Sequence, residues 1–249
     1  MGLLLLEGCH KSDELWLSAA ADRSEWWGRD VGAMIGEAKS GLAVGEITAE
    51  RFAECQVVID FSLPTGTRAL LEVLDGQALV CGTTGLDSGT EAAIERYASR
   101  AAVVKASNFS TGVNVLLGLV RSAAALLPDH DLEIVEMHHN RKRDAPSGTA
   151  LALAEAAADG RGVDLQSAMV HGREGEVGAR PAGEIGMHAL RGGDVAGEHT
   201  VYLAGSGERL QIGHLATSRE AFSDGALRAA KWAASAGPGM HSMRDVLGL

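Results

Sequence analysis

With 249 residues, 46% of them hydrophobic, 32 glycines and only 5 prolines, the chain can bury one large core or two smaller ones and lacks the composition of a disordered protein. A net charge of −11 and an aromatic content of 4% argue against nucleic acid as a partner, since neither a basic stripe nor stacking surfaces are available. Cys9, Cys55 and Cys81 are odd in number and show no C-x-x-C spacing, Leu3 to Leu6 is too short for a membrane span, and no signal-peptide pattern precedes it; the expectation is a soluble, cytoplasmic protein without disulfides or zinc.

Taken along the chain, the pattern alternates strand and helix. Gln56 to Phe61 is a short apolar run of the buried parallel-strand kind, followed by a Pro64-Thr65-Gly66-Thr67 turn and a helix to about Asp75. Ala78 to Cys81 reads as a second buried strand ending at Gly82-Thr83-Thr84-Gly85, with a helix from about Ser88 to Ser99. Ala101 to Lys105 is a third, ending at Ala106-Ser107-Asn108-Phe109. Ligands of open parallel sheets bind at the carboxyl ends of strands, where both small-residue turns fall, although each turn taken alone is ordinary strand-to-helix punctuation. A helix over about Thr111 to Leu127 leads to an alternating strand, Leu132 to Met137, and then to a helix from Thr149 to Ala158. Segments near Glu184–Leu190, Glu198–Ala204 and Glu208–Leu215 predict a second sheet, mixed or antiparallel. A last amphipathic helix, about Ser218 to Ala234, precedes a short tail.

The stretch Glu136 to Ala150, E-M-H-H-N-R-K-R-D-A-P-S-G-T-A, holds the chemistry. It joins a strand to a helix that Ser147, Gly148 and Thr149 are expected to open with backbone N–H groups facing outward; such a helix start and its dipole favour a carboxylate or phosphate. His138, His139 and Lys142 add titratable donors beside them. The local reading is an anion site equipped for proton transfer. Asp144-Ala145-Pro146 fixes the loop, because Pro146 disfavours helix at Ala145 and Asp144 accepts local backbone hydrogen bonds. His171, His188, His199, His214 and His241 are scattered without metal-ligand spacing, so no metal is expected.

Those fifteen positions match at every fixed place the signature E-x-H-H-x-x-K-x-D-A-P-S-G-T-A, and on them the chain resembles the dihydrodipicolinate reductase family, more fully 4-hydroxy-tetrahydrodipicolinate reductase of the diaminopimelate route to lysine. Val57-Val58-Ile59-Asp60-Phe61-Ser62, Gly82 to Gly85, Ser107 to Asn114 and Arg191 to Thr200 also look like family segments, in family order. The resemblance implies an α/β protein in two parts. A Rossmann-like parallel-sheet dinucleotide-binding domain covers 1–109 and is completed by 216–249. An α+β substrate-binding and oligomerisation domain covers 110–215, with Asn108 and Phe109 near the hinge. The departure lies at the start. The family opens with a strand and a G-x-x-G-R-M-G turn, of which Met1-Gly2 resembles the end; the first strand is missing here, and Leu3 to His10 resembles the helix that follows.

For the cofactor, NADPH or NADH, the resemblance carries over Met1, Asp22, Arg23, Gly82, Thr83, Thr84, Ala106, Ser107, Asn108 and Phe109. Asp22 and Arg23 follow a strand expected at about Leu15 to Ala20. There a carboxylate suits the ribose hydroxyls of NADH and an arginine the 2′-phosphate of NADPH, though the pair alone also reads as a surface ion pair. For the reaction, the resemblance implies reduction of a cyclic dicarboxylate that loses water to a conjugated imine. His138 is its proton donor and Lys142 a second donor and substrate anchor. His139, Ser147, Gly148 and Thr149 would clamp a carboxylate, Thr84 would reach the substrate from the cofactor side, and Arg219 is a candidate for the other carboxylate or a surface cation. A homotetramer is implied. Two other readings compete: a different nicotinamide enzyme on the same scaffold, against which the intact H-H-x-x-K and S-G-T set argues, and a non-catalytic dicarboxylate-binding or oligomeric homologue without a working dinucleotide site.

Overall fold

The computed structural model describes residues 1–249. In chain order the elements are α1 (Gly2–His10), α2 (Val31–Met34), α3 (Ala49–Phe52), β1 (Val57–Asp60), α4 (Pro64–Val73), β2 (Ala78–Cys81), α5 (Ser88–Ala98), β3 (Ala102–Lys105), α6 (Thr111–Leu126), β4 (Asp131–His138), α7 (Gly148–Arg161), α8 (Leu165–Ala168), β5 (Met169–His171), β6 (Ile185–Arg191), β7 (Glu198–Ala204), β8 (Arg209–Leu215), α9 (Glu220–Ala233), β9 (Gly239–His241) and α10 (Met243–Leu247). They fall into two units, Met1–Thr111 with Glu220–Gly248, and Gly112–Arg219.

The first unit is built on a four-stranded sheet in the order β1-β2-β3-β9, every pair parallel. β2 is buried at all four positions, as expected of a parallel strand covered on both faces. On one side α9 contributes Ala226, Ala229, Ala230 and Ala233 against Val80, Val104 and Phe109; on the other, α4 and α5 contribute Leu70, Ile94 and Tyr97 against Leu79, Cys81 and Val103.

Three expectations for this unit change. Pro64-Thr65-Gly66-Thr67 is no separate turn but the first turn of α4, with Pro64 at its start. A proline there gives up no helical hydrogen bond, and its fixed φ is already helical. Leu15 to Ala20 forms no strand: it has no ladder partner, and the only bridge nearby joins Ala21 to Gly45. The tail after α9 is structured, as β9 along β3 followed by α10, which is opened by a capping box between Ser242 and Asp245.

The second unit has a mixed five-stranded sheet, β5-β6-β4-β7-β8, parallel across β5, β6 and β4 and antiparallel from β4 through β8. The period of two sends Leu132, Ile134, Glu136 and His138 to one face, where α6 and α7 cover the apolar members with Leu116, Val120, Leu153 and Ala157. α7 begins at a Ser147 cap whose Oγ accepts from Ala150 N, and ends at Gly162 in the left-handed region, φ +66°. The opposite face carries no helix. There Glu133 accepts from Arg173, Arg180 and His188, and Leu190 and Leu215 are 49% and 58% exposed.

Candidate active site

β4 delivers two acid–base groups to one face because Glu136 and His138 are two residues apart on a strand. Glu136 is fully buried and accepts four hydrogen bonds: from His138 Nδ1 at 2.6 Å, Arg191 Nη1 and Nη2 at 2.8 and 2.9 Å, and Ser147 N at 3.0 Å. Burial alone would raise this carboxyl, but the Arg191 guanidinium, His138 and the Ser147 N–H outweigh it and hold Glu136 below the ordinary carboxylate range. An ionised Glu136 only accepts, so His138 carries a proton on Nδ1, and Nε2 is the nitrogen left for chemistry. That nitrogen faces Gly197, where a Cβ would stand 3.0 Å away; the missing side chain keeps its approach open.

The loop after β4 is tied down at several points. His139 N donates to Val195 O at 2.8 Å and Asn140 N to Gly193 O at 3.2 Å, and Arg191 Nη2 also donates to Asp144 O at 2.6 Å. His139 Nδ1 accepts from Arg141 N at 3.2 Å, which leaves its proton on Nε2. Desolvation and the cations around it, Arg141, His138, Lys142 and Arg219, lower its pKa and favour the neutral ring. Lys142 Nζ sits 2.9 Å from Asp144 Oδ2. At the start of α7, Gly148 is exposed and faces open space. The Ser147 hydroxyl, by contrast, is buried against His199 Nε2 at 3.0 Å. His199 is 4% exposed; burial and neighbouring His138, against the pull of Glu136, push it down to about 4, so the ring is neutral at pH 7. Arg219 is an exposed residue in the turn before α9.

In the first unit, Thr83, Thr84, Ala106 and Ser107 line one cleft of about 520 Å³, together with Lys105, Glu91 and the tail residues Met240, His241 and Asp245. It opens at the carboxyl ends of β2 and β3. Asp60 holds the Gly82-Thr83 turn beside it: the buried carboxylate accepts from Thr67 Oγ1 at 2.5 Å and Thr83 Oγ1 at 3.2 Å, and its carbonyl accepts from Gly82 N at 2.8 Å. A Cβ on Gly82 would come within 2.5 Å of the Phe61 ring, so a side chain there would have to displace that ring. Phe109 is packed in the core, 5.4 Å from Phe61, while the Asn108 side chain accepts from Ser110 N. Asp22 and Arg23 are exposed and outside this cleft, with Arg23 paired to Glu25 at 3.0 Å, and Met1 precedes α1 at its cap position.

Sequence reasoning gave no role to Glu136, Arg191, His199 or Asp60. Glu136 was within reach, since strand alternation puts it on the face of His138. Arg191 and His199 arrive from β6 and β7, and His199, grouped above with scattered histidines, lies against Ser147.

The family models described as "Dihydrodipicolinate reductase, N-terminus" and "Dihydrodipicolinate reductase, C-terminus" match residues 1–109 and 112–247. The chain is 47% identical, over all of its length and 95% of theirs, to the 4-hydroxy-tetrahydrodipicolinate reductase of Alkalilimnicola ehrlichii, and 47% identical to that of Ruegeria pomeroyi over all of its length and 94% of theirs. Among solved structures it is similar to the dipicolinate-bound dihydrodipicolinate reductase of Paenisporosarcina sp. TG-14, with a TM-score of 0.72 and 23% identity over 96% of this chain and 92% of that one. An amine dehydrogenase of Mycobacterium smegmatis shares the fold at a TM-score of 0.56 and 11% identity, over 96% of this chain and 91% of that one.

Proposed function

The chain belongs to the dihydrodipicolinate reductase family, and on that premise we propose that it reduces 4-hydroxy-tetrahydrodipicolinate to tetrahydrodipicolinate with a nicotinamide cofactor, in the diaminopimelate route to lysine. The observation that carries the reading is 47% identity to curated reductases along the whole of this chain, which favours an enzyme over the non-catalytic alternative.

The geometry supports a division of labour within the second unit. His138 gives up a proton from Nε2 while Glu136, on Nδ1, orients the ring and stabilises its cation. Lys142 leaves Asp144 for a substrate carboxylate and offsets negative charge as the ring is reduced. The Ser147 hydroxyl, the α7 N-terminus at Gly148 and Thr149, and neutral His139 through Nε2 hold a carboxylate, and Arg219 takes the other.

The cleft beside Thr83 and Ala106 supports a nicotinamide cofactor: it opens at the carboxyl ends of β2 and β3, with Thr83, Thr84, Ala106 and Ser107 on part of its wall. Bound there, NADPH or NADH supplies the hydride. Asp22 for a ribose and Arg23 for a 2′-phosphate are the residues that would select between them. The open face of the second sheet, with Leu190 and Leu215 exposed, supports assembly as a homotetramer. No helix is long and apolar enough to cross a membrane, and a cytoplasmic location is part of the proposal.

The test is oxidation of NADPH or NADH, coupled to a synthase that makes the unstable substrate in place, with His138→Ala alongside. Turnover lost in that variant is the expected result. Folded protein without turnover on either cofactor overturns the reading.

A further inference from the structure

A serine hydroxyl has one proton to give and two lone pairs to fill. At Ser147 one lone pair takes the Ala150 N–H at 3.2 Å, which caps α7. The second contact is His199 Nε2 at 3.0 Å, and either atom can be its donor. What separates the two cases is the far side of the ring: His199 Nδ1 is buried and has no hydrogen-bond partner.

If Nδ1 held the proton, a buried N–H would lack any acceptor, and Ser147 would have to use its only proton on Nε2. If Nε2 holds it, Nδ1 is left with a bare lone pair, the less costly orphan, and the Ser147 proton is free. The ring has one proton to place, because the charged form is disfavoured in its surroundings. Burial strips the ring of water, the His138 ring stands edge-on at 5.2 Å and the Lys142 ammonium lies nearby, against Glu136 as the opposing charge.

We infer that His199 is a positioning residue for the substrate carboxylate: its Nε2–H donates to Ser147 Oγ and so turns the Ser147 proton toward the anion at the start of α7. This rests on the reading above that Ser147 and Gly148 hold a substrate carboxylate. His199 touches no reacting atom. It fixes which way a hydroxyl points.

Two measurements test it. In the wild-type protein, nitrogen NMR of labelled imidazoles distinguishes the two neutral tautomers. The inference requires His199 protonated on Nε2, and a proton on Nδ1 overturns it. In the second, calorimetry measures binding of dipicolinate, a stable planar dicarboxylate, to His199→Gln, His199→Met and Ser147→Ala. Gln and Met are of similar length, but only Gln offers an N–H at the position of Nε2. The expected result is affinity within about twofold of wild type for His199→Gln and about tenfold weaker for His199→Met, the worth of one hydrogen bond to a charged group. Ser147→Ala is expected to weaken binding to a similar degree and to abolish any further effect of His199→Met. Equal affinity for the Gln and Met variants, or additive losses, would sink the inference while leaving the substrate reading intact. Failure of wild type to bind dipicolinate would sink both.

Discussion

Glu136 and Arg191 form a two-pronged ion pair, Nη1 to Oε2 at 2.8 Å and Nη2 to Oε1 at 2.9 Å, around a carboxylate with no exposure to solvent. In the β4–β6 ladder Arg191 is the neighbour of His138, not of Glu136, so its side chain reaches back along the strand. One carboxylate thereby holds the imidazole of β4, the guanidinium of β6 and the first N–H of the Ser147 cap.

Arg191→Met leaves that carboxylate buried without its countercharge. Breaking such a pair from one side costs about 3–5 kcal/mol, and the loss is expected in urea unfolding monitored by circular dichroism. Arg191→Lys keeps the charge but loses the fork, and is expected to fall between wild type and Arg191→Met.

Glu136→Gln keeps the shape and removes the charge that orients His138 and stabilises its cation. The expected outcome in the coupled reductase assay is a fall in kcat of about a hundredfold, with KM for the dicarboxylate changed by less than about threefold. A change confined to KM would move Glu136 from proton transfer to substrate binding.

His199 makes the fold sensitive to mild acid. Its imidazole is pushed from 6.5 to about 4 in the folded chain, so between those values the unfolded state binds the extra proton. Stability then rises with pH across that window and is lost as pH falls from 6.5 toward 4, by up to roughly 3 kcal/mol. His199→Gln has no such proton to bind. Urea midpoints taken across the window are expected to show a shallower slope for the variant, and identical slopes would contradict the assignment.

Glu133 acts at lower pH. Desolvation raises its carboxyl, but Arg173, Arg180 and His188 lower it more, to about 2 against an ordinary 4.5. Its contribution is present in full above 4.5 and disappears as pH falls toward 2. Glu133→Gln is therefore expected to weaken the fold at pH 7 and to differ little from wild type near pH 2, read by the same unfolding series.

In the first unit, a Cβ on Gly225 would overlap the backbone carbonyl oxygen of Phe109. Gly225→Ala must push α9 away from the turn that follows β3. The expected cost is about 1–3 kcal/mol in stability, together with weaker cofactor binding by NADH fluorescence titration. Dipicolinate affinity should hold steady, and equal losses for both ligands would mean general unfolding instead.

The loop with His138 and Lys142 was legible because its signals are local: strand alternation into it, a Ser-Gly-Thr helix start out of it, and a fifteen-residue signature. The three apolar runs of the parallel sheet were legible for the same reason. Contacts between distant residues were not. Ser147 and His199 are 52 positions apart and Glu136 and Arg191 are 55, and they meet only through strand pairings that no periodicity encodes. β9 was missed because three residues, Gly239 to His241, are too few for an alternation to register. Leu15 to Ala20 was read as a strand from the order of its resemblance, but a strand exists only where a neighbour accepts its hydrogen bonds.

The shared Glu136 anchor also bears on how the protein reaches its working form. Its partners on β6 and α7 are brought in by chain closure, and β4 pairs with β6 in parallel across a loop of some fifty residues (Leu132 opposite Ile185). Such a pairing is entropically late, whereas α6 and α7 can form from neighbouring residues alone. In refolding from denaturant, helical signal should return early and reductase activity only in the slowest phase of the second unit, so the oriented imidazole serves as a clock for the last step of assembly.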